Sequence, residues 1–349
     1  MSRSSRKIEH IQHAITTGQL DQHGFDDVRI VHNCLPDLAV TEVDIRTKIG
    51  ELNLSSPIVI NAMTGGAEET LRINQELAIV SREKGLAMAV GSQMAAIKEP
   101  SVAKTYKVVR EENPRGIIFA NLGSEATVEQ AQRAVDMLQA DALQIHLNVI
   151  QELVMPEGDR SFSGALSRIE QIVKHMSCPI IVKEVGFGMS ADAAKKLEGV
   201  GVQILDVGGY GGTNFAHIEN KRRDLPYEDF NQWGINTVQS TVEVCTSVAV
   251  DVIASGGIKT PSQILKSILL GAKAVGIAGF ILPYIMRNEI KNLHKMIDTY
   301  HEQLRFMMCA LGMRNIEESK YIPIVLQGET YHWLNQRGFQ PEKFAQRKR

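Results

Sequence analysis

Lys183 closes the apolar run Ile180-Ile181-Val182. An ammonium buried there without a partner is costly, so it needs a counter-charge or a function. Three readings are open: a Schiff base, a cation beside an anionic ring or substrate, and a structural ion pair with Glu184 or Asp206. The densest polar patch is QIHLNVIQELVMPEGDR at 144–160. On a strand His146 and Asn148 share one face with Gln144 below them, and Gln151 and Glu152 follow within one turn. A carboxylate beside a carboxamide suits Mg²⁺, a hard cation that keeps waters and takes further ligands from a phosphorylated substrate. A lone strand histidine is as readily a hydrogen-bonded structural residue. Two glycine pairs, in Ser255-Gly256-Gly257-Ile258-Lys259 and Gly276-Ile277-Ala278-Gly279-Phe280, expose N–H groups that can cradle a phosphate at a helix start. Arg6, Lys7, Glu9 and His10 read either as a solvated end or, if folded over a site, as a clamp for a diphosphate.

The elements that must position these groups are eight short apolar runs, each ending in glycine or a reactive polar residue. They are Pro57–Thr64, Gly85–Gln93, Gly116–Gly123, Ala142–Asn148, Pro179–Val185, Val202–Gly209, Asp251–Gly257 and Ala274–Gly279. Continuous apolar runs of this length read as parallel strands buried on both faces. Eight of them with helix-length spacers predict an α/β chain folded as a (β/α)8 TIM barrel, whose C-terminal strand ends share one mouth. Thr64, Ser92, Gln93, Asn121, His146, Asn148, Lys183, Gly256, Gly257 and Gly279 are then expected to ring one cavity.

At 349 residues the chain exceeds a bare barrel of about 250. Residues 1–56 read as an N-terminal extension with a short helix near Lys7–Thr17. An alternating pair, Thr41–Ile45 and Thr47–Leu54 broken at Gly50, reads as a hairpin or plug under the barrel. Residues 57–349 carry the barrel, a C-terminal helix and a tail. Leu166, Ile169, Ile172 and Val173 share a helix face, as do Ile264, Leu265, Ile268 and Leu269. Gly208–Gly234, after the sixth strand, has no helical period and reads as a long loop, either a lid or a mobile insertion. Ile290, Leu293, Ile297, Tyr300, Leu304, Met307 and Leu311 mark a long helix covering the barrel or a neighbouring subunit, and Phe339–Arg349 reads as solvated. A net charge of −2 gives no reason to expect nucleic acid or an anionic membrane. Ile277–Met286 is too short to span a bilayer. Cys34, Cys178, Cys245 and Cys309 lack zinc spacing and read as reduced thiols, and with no secretory signal visible the expected setting is cytoplasmic.

Together RKIEH at 6–10, NAMTGG at 61–66, VGSQ at 90–93, ANLG at 120–123, the 144–160 patch, KEVGFGMS at 183–190, DVGGYGGTNFAHIENKRR at 206–223, SGGI at 255–258 and GIAGF at 276–280 resemble the type 2, FMN-dependent isopentenyl-diphosphate isomerases. That resemblance covers the barrel and its extension. It implies FMN bound by Ala62, Met63, Thr64, Ser92, Asn121, Lys183 and Thr213, with its phosphate at Gly257, Ile258, Lys259, Ala278 and Gly279. It implies substrate contacts from Arg6, Lys7, His10, His146, Asn148 and Gln151, and Mg²⁺ at Glu152. Catalytic roles fall to Lys183, which would stabilise an anionic reduced flavin, and to Thr64, Gln151 and Glu219, which would tune or relay protons. The implied reaction converts isopentenyl diphosphate to dimethylallyl diphosphate without net redox, on flavin reduced by NADPH or another donor. A homo-oligomer, tetramer or octamer, is implied as well. Met94 departs from the family pattern, which has Arg there, and shifts the expected diphosphate contacts to Arg6, Lys7 and His10.

Two related barrel chemistries lack their residues here. A flavin 2-hydroxy-acid oxidase needs a His–Arg pair in an HGG-x-R arrangement, and the chain has no HGG. An inosinate-dehydrogenase type needs a cysteine in the loop after strand six, and Gly208–Gly234 contains none. A non-catalytic flavin-binding module stays open, against the evidence of the 144–160 patch.

Overall fold

A computed structural model describes residues 22–348. All eight apolar runs form strands of one closed parallel barrel: β4 (Ile58–Ile60), β5 (Ala87–Ala89), β6 (Ile118–Gly123), β7 (Ala142–Leu147), β8 (Ile180–Glu184), β9 (Ile204–Asp206), β10 (Asp251–Ser255) and β11 (Ala274–Ile277). The barrel closes between β11 and β4, where Ile277 pairs with Ile60. Strand period and register together decide what faces inward. Val59, Phe119, Ala142, Ile181, Ile204 and Ile253 fill the lower interior. Two residues further along the same strands stand Asn61, Asn121, Gln144, Lys183, Asp206 and Ser255. The inward face thus turns from apolar to polar within one strand period, just below the C-terminal mouth.

Below the barrel, β2 (Thr47–Ile49) and β3 (Leu52–Leu54) form the expected antiparallel hairpin around Gly50. Ile49 and Leu54 join the lower interior, and the Gly50 N–H donates to Asp251 at 2.7 Å. Thr41–Ile45 is not a strand: Val40–Glu42 is a single 3-10 turn, although Val43 and Ile45 are buried as the alternation required. The sequence offered no sign that β1 (Val28–Ile30) would pair with β12 (Ile324–Leu326), which ties the two ends of the described chain together.

Leu166 stays 38% exposed while Ile169 and Ile172 are buried. The long helix Ile290–Ala310 covers the barrel, burying Leu293, Ile297 and Leu304, with Met308 inward in place of Met307. Its Tyr300 hydroxyl donates to the Lys259 carbonyl. Gly208–Gly234 is not structureless. It contains the helix Phe215–Asn220, capped by the Asn214 side chain, and buries Ala216, Ile218, Glu219 and Asn220. Six residues are too few to display a helical period, so only packing reveals it. The tail is not simply solvated either, since Phe344 is buried and Arg347 donates to the Leu269 carbonyl.

Candidate active site at the C-terminal mouth

The polar inward residues floor a cavity of about 450 Å³. Asp206, wholly buried at the end of β9, accepts hydrogen bonds from Asn61 Nδ2 at 2.6 Å, from the Ser255 hydroxyl and from the Gly208 N–H at 3.1 Å. Lys183 is only 7% exposed, and its ammonium donates to the Glu184 carbonyl at 2.6 Å. Among the described residues no carboxylate lies within ion-pair distance of it. The structural pair with Glu184 or Asp206 is therefore not formed: Asp206 takes three other donors, and the Lys183 ammonium turns to a backbone carbonyl. Glu184 Oε2 instead accepts from the N–H groups of Val185, Gly186 and Phe187 at 2.6–2.9 Å. Burial pushes the Glu184 carboxyl up to about 7.

Above the floor, Thr64 Oγ1 is buried with no hydrogen-bond partner. Gly256 and Gly257 hold φ of +118° and +72°, where a side chain is strained. A Cβ on Gly257 would also overlap the Gly211 carbonyl, and one on Gly212 would lie 2.6 Å from the Gly257 nitrogen. Such close backbone approach leaves a cradle without side chains beside a helix, Pro261–Leu269, whose Thr260 caps its N-terminus. An orphaned hydroxyl, an unneutralised ammonium and a glycine cradle fit an anionic ring cofactor with one phosphate. The residues present therefore fit FMN.

The 144–160 patch forms one side wall. His146 Nδ1 lies 2.8 Å from Asn121 Oδ1, and burial, then the Lys183 charge, pulls the imidazole down to about 3. Within Val149–Val154 and the turn after it, Glu152 accepts from Asn148 Nδ2 and from the Asp159 N–H, each at 2.9 Å. Burial raises its proton affinity, and the nearby charges of Asp159 and Glu125 add to that. A hard cation would relieve this crowding, so the donor set fits Mg²⁺ with Glu152 as one ligand. Among the described residues no cluster of three or more His, Cys, Asp or Glu is arranged to hold a metal, so further ligands would have to come from water and substrate. Gln151 Nε2 donates to Glu219 Oε1 at 3.2 Å, and Arg222 pairs with Glu219 at 2.6 Å.

Ala62, Met63, Thr64, Ser92, Asn121, His146, Asn148, Gln151, Glu152, Lys183, Thr213, Gly257, Ile258, Ala278 and Gly279 all line this cavity. Three residues do not. Glu219 is wholly buried behind Gln151; Lys259 turns its N–H to Gln263; Gln93, expected in the ring, is buried against Asn121 and Ala134. Met94 reaches the lining. Arg6, Lys7 and His10 lie outside the described residues. The sequence reading marks Asp206 only as a possible partner of Lys183 and singles out neither Asn61 nor the Ser255 side chain, although each sits two positions beyond an inward apolar residue, the signal that could find them.

A mouth of this kind suits a phosphorylated, anionic ring cofactor, and residues 109–322 match the FMN-dependent dehydrogenase family. The chain is thus a flavin-dependent (β/α)8 protein. Relatives spanning its full length narrow the class. An isopentenyl-diphosphate delta-isomerase of Bacillus licheniformis is 54% identical over 99% of this chain and 100% of its own length, and one from a Geobacillus species is 52% identical over 99% of both. The chain belongs to the isopentenyl-diphosphate delta-isomerases. Among solved structures, a mandelate oxidase with (S)-2-phenylpropionate superposes with a TM-score of 0.64 at 14% identity, over 93% of this chain and 96% of the other. A mandelate oxidase mutant with benzaldehyde gives 0.63 at 13%, over 93% and 97%. Those likenesses show the fold alone. No described helix is long and apolar enough to cross a membrane.

Proposed function

We propose that this protein converts isopentenyl diphosphate to dimethylallyl diphosphate by a 1,3-allylic proton shift, using FMN kept reduced by NADPH. The observation that carries the reading is full-length identity above half to isomerases of that name, joined to a mouth whose buried lysine has no counter-ion among the described residues. Reduced FMN supplies the acid and base for the shift, since an alkene is too weak a base for an ordinary side chain to protonate.

The chain's own residues bind, orient and neutralise. Lys183 places positive charge beside the ring, and Thr64 offers its unpartnered hydroxyl to it. Ala62, Met63, Ser92, Asn121 and Thr213 would contact the flavin, while Gly257, Ile258, Ala278 and Gly279 would take its phosphate through backbone N–H groups. His146, Asn148 and Gln151 face the substrate. Glu152 would hold Mg²⁺ and so help neutralise the diphosphate, and Arg6, Lys7 and His10 of the 1–56 extension would supply the cations that Met94 does not. Thr64, Gln151 and Glu219 would tune or relay protons at the site, with Gln151 held by its hydrogen bond to Glu219 and the charge of Glu219 balanced by Arg222. The four cysteines, all free, suit a cytoplasmic setting, and a homo-oligomer is the expected assembly.

A shift of this kind adds one proton and removes another without changing the electron count. In D₂O the product should gain deuterium in its methyl group, and many turnovers should follow each NADPH consumed. One-to-one consumption of NADPH with product would end the isomerase reading.

A further inference from the structure

Five side chains form one hydrogen-bonded file around the barrel, from β9 to β7 by way of β4 and β6. Asn61 Nδ2 donates to Asp206 at 2.6 Å; Gln144 Nε2 donates to Asn61 Oδ1 at 3.2 Å; Asn121 Nδ2 donates to Gln144 Oε1 at 3.4 Å. At the far end His146 Nδ1 meets Asn121 Oδ1 at 2.8 Å. Apart from the ring itself, every member is 5% exposed or less.

The file has a direction, set by groups that cannot reverse. The Gly208 N–H, which cannot reverse, donates to Asp206, and an ionised carboxylate only accepts. The Ala62 N–H donates to Asn61 Oδ1 at 2.9 Å, and a backbone N–H never accepts. Asn61 must therefore turn its NH₂ to Asp206 and its oxygen to Gln144. Gln144 must then turn its oxygen to Asn121, and Asn121 its oxygen to the imidazole. An oxygen facing Nδ1 requires that Nδ1 carry the proton.

We infer that Gln144 is a positioning residue of the site: it relays the polarity anchored at Asp206 and the Ala62 N–H through Asn121, and so holds His146 as the neutral Nδ1–H tautomer. The strong downward displacement of the imidazole's proton affinity agrees with a ring that stays neutral. Nε2, the nitrogen not facing Asn121, is then an acceptor. It suits an O–H or N–H of a ligand and not an ionised phosphate oxygen. Taken with the proposed substrate, His146 would meet the diphosphate only through an intervening donor such as metal-bound water.

The test is ¹⁵N NMR of the FMN-loaded enzyme labelled with [¹⁵N]histidine, with the His146 signals assigned by their loss in His146→Asn. The expected spectrum has protonated Nδ1 and unprotonated Nε2, unchanged through the neutral pH range and unchanged on adding inorganic pyrophosphate without metal. Gln144→Leu cuts the file without adding a donor and should convert His146 to a mixture containing Nε2–H. Gln144→Met, closer in volume, carries the same expectation if the leucine variant does not fold. Nε2–H in the wild type, Nε2–H induced by pyrophosphate alone, or pure Nδ1–H in a folded Gln144 variant would each overturn the assignment. None of these readings depends on turnover, so they stand apart from the isomerase assignment.

Discussion

Lys183 and Asp206 stand opposite each other in the register of β8 and β9, yet they do not pair. Asp206 spends its lone pairs on Asn61, Ser255 and Gly208, while Lys183 donates to a carbonyl. The barrel thereby keeps a buried positive charge available at the mouth, and this is the electrostatic basis of an anion-stabilising site.

Lys183→Ala should cut turnover by roughly 10²-fold or more, the scale for losing one preorganised charge stabiliser. Steady-state rates with the flavin chemically reduced beforehand separate this from a defect in reduction. Turnover within twofold of wild type would show the ammonium to be structural.

For Glu152→Gln the expected outcome is a Mg²⁺ requirement raised roughly tenfold or more, with flavin binding intact. Metal titrations of activity, set beside fluorescence titrations of FMN, distinguish the two effects. An unchanged Mg²⁺ midpoint places the metal elsewhere.

Gly257→Ala puts a side chain at φ +72° and against the Gly211 carbonyl. Strain of about 1–3 kcal/mol is expected. FMN should be held roughly 10-fold less tightly, as read by the fluorescence of released flavin. Equal affinity would mean that the cradle does not carry the phosphate.

Glu184 makes stability of the flavin-free protein pH-dependent in a defined sense. Its carboxyl ionises near 4.5 when unfolded and at about 7 when folded, chiefly through burial. Between those values the folded state binds more protons, so this group's contribution falls as pH rises from about 4.5 to about 7 and stays low above it. The cost at high pH is on the order of 3 kcal/mol. Glu184→Gln, which can still accept the three N–H groups, should flatten that dependence and be the more stable form above pH 7. Urea denaturation at pH 5 and pH 8 measures it, and parallel pH profiles for both proteins would contradict the assignment.

The strand runs, the hairpin at Gly50 and the glycine pairs were legible because they are local. Apolar length, period and turn chemistry are decided within a few residues of the chain. The same locality placed Thr64, His146, Asn148, Gln151, Glu152 and Lys183 at one mouth, since a parallel barrel brings all C-terminal strand ends together. Family resemblance added Glu219, which no local pattern marks.

Tertiary structure alone decided which polar groups neutralise one another. Asn61 and Asp206 are 145 residues apart in sequence, and nothing in either segment says that they will bond to each other while Lys183 has no ion pair among the described residues. It also decided the helix Phe215–Asn220, too short to show a period but held by burial, and the pairing of β1 with β12. The sequence by itself determined where the strands end and therefore where the chemistry lies. Barrel closure determined the hydrogen-bond direction, the buried charge and the His146 tautomer, because those depend on distances between strands that only packing sets.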